Sequence, residues 1–195
     1  MKKILLIVVL ALLSVAGTQA QQINKGKKAE TATNVADVPV VNGKVTFETD
    51  IPAKGLTAAQ IEEKANEWIA KRFVKPTVIA AKRYDSEKPN TIIIKGEEYI
   101  TFKSTFFVLS RARMYYFLTL TAQDGNCNFH LSRINYWYDD EDEKGGIKMI
   151  AEEWITDDNA FGKNGKLKKF EGKFRNKTIE LKDQLIDELT KALNE

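Results

Sequence analysis

Cys127 and His130 are the one cysteine and the one histidine of the 195-residue chain, and they stand three positions apart. A thiol and an imidazole so placed invite two chemical readings, a pair of metal ligands or a nucleophile with its base. The residues around them, Phe129 to Trp137, have strand character, and on a strand residues three apart point to opposite faces. No other thiol or imidazole exists to complete a ligand set. Ordinary strand residues are therefore the favoured reading, and neither a metal nor any other cofactor is expected. A lone cysteine also forms no intramolecular disulfide, so packing must hold the fold together.

Carboxylates offer the next chemistry. Asp139-Asp140-Glu141-Asp142-Glu143 is the densest charge cluster, but its spacing lacks the alternating ligands and terminal glutamate of a calcium loop, and a solvated loop is expected. Glu152, Glu153, Asp157 and Asp158 contain candidates for the paired acids of a glycosidase, whose separation in space the sequence does not give. A serine triad would need His130, and there is neither a Gly-x-Ser-x-Gly elbow nor a His-Glu-x-x-His helix. No catalytic residue is assigned.

Aromatic residues carry the remaining signal. Tyr136, Trp137 and Tyr138, joined by Trp154, are the candidate ligand or partner contacts. Neighbours on a strand cannot all face one way, so at least one of the three must lie across the sheet from the others. If the second face is open, that residue belongs to an exposed apolar patch and a contact surface; otherwise it is core.

These residues need a scaffold. Lys2 and Lys3 precede an apolar run from Ile4 to Leu13 and a small-residue ending at Thr18-Gln19-Ala20, the pattern of a secretory signal peptide with cleavage expected between Ala20 and Gln21. The run is too short for a membrane span, and none is expected in the mature chain. No cysteine stands near the cleavage site, so export to the periplasm or beyond without a lipid anchor is the expected localisation. Residues 21–37 are small and polar and read as a flexible leader. Residues 38–195 read as one domain. The net charge of +3 includes Lys2 and Lys3, leaving the mature chain close to neutral, which argues against a nucleic-acid partner.

Strand character begins at Val38 to Val41, crosses the turn Asn42-Gly43 and resumes through Val45 and Phe47. Thr57 and Gln60 form a capping-box pattern, and Ile61, Ala65, Trp68, Ile69 and Phe73 make one helical stripe that ends at Pro76. Strands are expected at 77–84, 90–94 and 99–109, with Gly96 marking a turn or bulge between the last two. A hairpin then turns at Asp124-Gly125. After a short segment at 150–155, Leu181, Leu185, Leu189 and Leu193 recur at four-residue spacing on a final helix that starts between Phe170 and Thr178. The order strand, helix, strands, helix predicts an α+β fold, an antiparallel sheet with two amphipathic helices on one face.

Val40-Val41-Asn42-Gly43-Lys44-Val45-Thr46-Phe47-Glu48, then Gly55-Leu56-Thr57 and Ala65-Asn66-Glu67-Trp68-Ile69-Ala70-Lys71-Arg72-Phe73, resemble the opening of domain of unknown function 4468. Ala151-Glu152-Glu153-Trp154-Ile155-Thr156-Asp157 and Lys173-Phe174-Arg175-Asn176-Lys177-Thr178-Ile179 are similar to segments of its longer members. The resemblance implies an exported bacterial protein with a fold like the TATA-binding protein. It implies no activity, and the fold likeness does not transfer DNA binding, since function lives in sites. The function expected is a non-catalytic binding or interaction module of the cell envelope meeting a protein, peptide or glycan. A small carboxylate-dependent hydrolase is the alternative, and a homodimer through the aromatic face is a further one.

Overall fold

The computed structural model describes residues 37–139 and 142–195. The expected signal peptide, its Ala20–Gln21 cleavage site, the leader up to residue 36, and Asp140 and Glu141 lie outside the described residues. Among the described residues the chain runs β1 (Val40–Val41), β2 (Lys44–Pro52), α1 (Ala58–Arg72), β3 (Val78–Tyr84), β4 (Thr91–Ser104), β5 (Leu109–Gln123), β6 (Asn126–Tyr138), β7 (Ile147–Ile150), α2 (Ala151–Trp154), α3 (Asp157–Ala160) and α4 (Glu171–Asn194). The sheet is antiparallel in the order β1-β2-β6-β5-β4-β3, and β7 joins β6 on the edge that β2 occupies further along.

α1 starts where its capping box dictates. The Gln60 amide donates to Thr57 Oγ1 at 3.4 Å, the Thr57 amide donates to Gln60 Oε1 at 2.9 Å, and the Ala58 amide donates to Asp124 Oδ1 at 2.8 Å. The last bond ties the helix start to the β5–β6 hairpin turn. Ile61, Ala65 and Trp68 are buried as the stripe requires, and so is Arg72, the next residue along it. α4 buries Leu181, Leu185, Leu189 and Leu193, a four-residue ladder that drifts slowly enough around the helix to stay on the core side.

Both helices cover the same sheet face. Ala112, Met114, Tyr116, Leu118, Leu120 and Ala122 of β5 point into that core, while the residues between them are half-buried on the other face. Two strand expectations change. Gly96 is neither turn nor bulge: β4 runs unbroken through it, and the position takes glycine because the Tyr116 ring crosses it so closely that an added Cβ would stand 2.5 Å from Cζ. Leu109 opens β5 instead of ending β4, and the hairpin turns at residues 105–108.

β6 holds the decisive irregularity. Phe117 pairs with Ser132 and Tyr115 with Asn135, so Arg133 and Ile134 together oppose Tyr116, with Arg133 at φ 54°. This bulge reverses the strand's alternation. Cys127, Phe129 and Leu131 face the helices before it, and Ile134 and Tyr136 face them after it. The bulge also falls where the β6 edge passes from β2 to β7. Among the described residues no helix is long and apolar enough to cross a membrane.

Candidate functional site

The bulge separates the candidate aromatic residues. Tyr136 is 1% exposed, and its hydroxyl lies 2.6 Å from Thr178 Oγ1, which in turn donates to the Phe174 carbonyl of α4. Burial first, then the nearby Glu152 charge, pushes its phenol far above the ordinary range despite the Thr178 hydrogen bond. Tyr138 and Trp154 pack edge-on against Phe170 at 5.5 and 5.6 Å, and Phe174 lies near both. Those three residues serve the helix-side core. Trp137 alone reaches the open face, where its indole Nε1 donates to the Gly145 carbonyl at 2.8 Å.

On that face Trp137 belongs to one cross-strand row. Lys148 of β7, Trp137, Arg113 of β5 and Tyr99 of β4 are register partners. The Lys148 ammonium sits 5.0 Å from the Trp137 ring centroid and the Arg113 guanidinium 5.3 Å from it, while Arg111 stacks 3.7 Å from Tyr99. Such cation–π contacts hold long side chains flat on the sheet. The next row is Ile150, Asn135, Tyr115 and Glu97. Between the rows lies a cleft of about 500 Å3 lined by Tyr115, Asn135, Trp137, Lys148, Ile150 and Glu153 together with the buried Tyr136 and Met149. It combines ring surface with an amide, a phenol, an ammonium and a carboxylate, the mixture a peptide or sugar site uses.

The other candidates disperse. Cys127 faces the helices and His130 the open side. Burial, and then the Asp50 charge, pushes the thiol up to about 11, so it stays protonated near neutral pH and is no nucleophile. Among the acids, Glu152 Oε1 accepts the Val45 amide at 3.0 Å, and Asp157 pairs with buried Arg175 at 2.7 Å. Glu153 lines the open-face cleft, whereas Asp158 is exposed and does not line it. In the acidic loop, Asp142 Oδ1 accepts the Lys144 amide and the Asp142 carbonyl accepts that of Gly145, closing a tight turn. Among the described residues no group of three or more His, Cys, Asp or Glu is placed to hold a metal ion.

Sequence reasoning missed a buried polar network. Arg72 Nη2 donates to both Glu98 oxygens at 3.1 and 2.8 Å, and Tyr116 donates to Glu98 Oε1 at 2.5 Å. Arg72 Nε faces Glu188 Oε2 at 3.4 Å, and Lys75 donates to Glu188 Oε1 at 2.6 Å. Burial and then the Glu98 charge raise the Tyr116 phenol well above its ordinary value. The available signal was an arginine at a position where the α1 stripe calls for an apolar residue. A buried charge of this kind must be paired.

A family model described as a domain of unknown function, DUF4468, with TBP-like fold matches residues 47–137. A crystal structure of a DUF4468 family protein from Bacteroides ovatus is 32% identical with a TM-score of 0.72, the match covering 84% of this chain and 92% of that one. A TBP-like protein from Parabacteroides distasonis is 20% identical with a TM-score of 0.63, over 80% of this chain and 96% of that one, a likeness of fold. No curated protein matches.

Proposed function

The chain belongs to the DUF4468 family, whose TBP-like α+β fold it shares, and on that premise we propose that it is a non-catalytic binding module of the cell envelope, reached by export, whose open sheet face meets a peptide or glycan. The cleft of about 500 Å3 beside Trp137 carries this reading. It lies on the face opposite the helices, floored by sheet residues whose backbone is pinned in the ladder, so its polar groups are held ready for a ligand. The carboxylates that a hydrolase would pair across a cleft are engaged elsewhere in two cases, Glu152 on β2 and Asp157 on Arg175. Glu153 by itself supplies an acid without an opposing partner in this lining.

Screening the purified chain against peptide and glycan arrays tests the proposal. The expected outcome is a ligand whose binding falls at least about tenfold in Trp137→Ala and in Asn135→Ala, read at a temperature where both variants are folded by circular dichroism, because the substitutions also remove the Trp137 bond to Gly145 and the Asn135 bond to Arg133. Binding unaffected by either substitution, or turnover of the ligand that Glu153→Gln abolishes, refutes it.

A further inference from the structure

A second cleft, of about 520 Å3, lies between α1 and α4, far from Trp137 in the fold, and is lined by Trp68, Lys71, Arg72, Lys75, Glu188 and Lys191 among others. Two of its lining side chains are buried donors without an acceptor. Trp68 is 6% exposed with Nε1 unpartnered, and Arg72 is 2% exposed with Nη1 unpartnered. Of the other Arg72 nitrogens, Nη2 donates to Glu98, whereas Nε, 3.4 Å from Glu188 Oε2 in an ion pair, has no hydrogen-bond acceptor either. A buried N–H without an acceptor carries its full desolvation cost, so a folded protein rarely leaves two in one cleft without something to receive them.

Charge points the same way. Glu188 is occupied by Lys75 and Arg72, whereas the ammonium groups of Lys71 and Lys191 have no ion-pair partner among the described residues. Glu67 and Glu195 also line the cleft, so its excess of positive charge is modest and suits one oxyanion rather than a polyanion. Both walls belong to the C-terminal halves of their helices, where the helix dipole disfavours an anion. The lysines must therefore supply the attraction.

We propose that this cleft binds a small ligand through a carboxylate or phosphate group, whose oxygens accept from Trp68 Nε1 and Arg72 Nη1 between the ammonium groups of Lys71 and Lys191. A water can accept from both donors but brings no charge; an oxyanion accepts from both and also balances the lysines. The cleft lies on the helix side and stands apart from the open-face site.

The indole N–H of Trp68 is its own reporter. The chain has three tryptophans, so a nitrogen–proton correlation spectrum shows three indole signals, and the spectrum of Trp68→Phe identifies the one that belongs to residue 68. The purified chain is titrated with sodium phosphate and, separately, with sodium acetate, against sodium chloride of matched ionic strength. A saturating shift of the Trp68 indole with a dissociation constant of about 1 mM is expected. It should weaken about tenfold in the double substitution Lys71→Gln with Lys191→Gln, at exposed positions where the fold tolerates change. Response to acetate but not phosphate assigns a carboxylate, the reverse assigns a phosphate, and response to both assigns a general oxyanion site. No saturable shift with either anion up to about 50 mM, or a shift that the lysine substitutions leave unchanged, overturns the proposal.

Discussion

Replacing Gly96 by alanine distinguishes a glycine required by its own backbone from one required by its neighbour. Gly96 is not among the glycines at positive φ, so its backbone is one that alanine adopts. What an added Cβ meets is Tyr116, at 2.5 Å from Cζ, 2.7 Å from Cε2 and 2.8 Å from the hydroxyl. The ring must move, and with it the hydroxyl that donates to Glu98. Overpacking costs about 1–3 kcal/mol, and losing a hydrogen bond to a buried carboxylate costs about 1.5–3 kcal/mol. Together the loss is about 3–5 kcal/mol, a fall of about 10 °C in Tm for a chain of this size. Urea denaturation of Gly96→Ala, Tyr116→Leu and the double variant reads both the cost and its origin. Because the shorter side chain of Tyr116→Leu leaves room for the new methyl, the double variant should be more stable than the sum of the singles by more than about 1 kcal/mol. A Gly96→Ala chain within about 0.5 kcal/mol of the parent, or strict additivity in the double variant, would show that the Tyr116 ring does not dictate glycine here.

Three further outcomes are expected elsewhere in the fold. Glu98→Ala leaves the Arg72 guanidinium buried without its carboxylate and should cost about 3–5 kcal/mol in urea denaturation, whereas Arg72→Met with Glu98→Leu should recover most of that loss. For Glu188, burial acts to raise the carboxyl, but hydrogen bonds from Lys75 and Gln184 and the charges of Lys75 and Arg72 outweigh it and hold it below the ordinary 4.5. A depressed folded value gives stability that is present above 4.5 and lost as pH falls through the folded value. Thermal melts between pH 6 and pH 3 should therefore show a shallower acid-side decline in Glu188→Gln than in the parent. Phe106 and Phe107, 94% and 89% exposed at the β4–β5 turn, give up little burial when changed, so Phe106→Ser with Phe107→Ser should move stability by less than about 0.5 kcal/mol. The same pair should raise the concentration at which the chain begins to aggregate in light scattering.

The two long helices were legible because their causes are local. Thr57 and Gln60 are three residues apart, Leu181 to Leu193 repeat at four, and a reader of the chain sees both without knowing what they pack against. The antiparallel strands were legible for the same reason, from alternation and from the Asp124-Gly125 turn. Gly96 was misread because its reason is Tyr116, twenty residues on in the chain, which the sheet places directly opposite it on the neighbouring strand. Arg72 offered a hint, a charge on an apolar stripe, yet its partners Glu98 and Glu188 stand on other elements. The candidate site turned on Arg133. Simple alternation along β6 cannot say which of Tyr136 and Trp137 faces the helices, and the bulge at Arg133 reverses the answer for every residue after it. Thus the chain alone gave the types of the long elements, the start of α1 at its capping box and the α+β class, since these depend on neighbours within about one helical turn or one hairpin. Which aromatic residue meets solvent, where the cleft opens and how the buried charges pair became visible in the folded chain alone, because those outcomes come from packing and electrostatics between residues far apart in sequence.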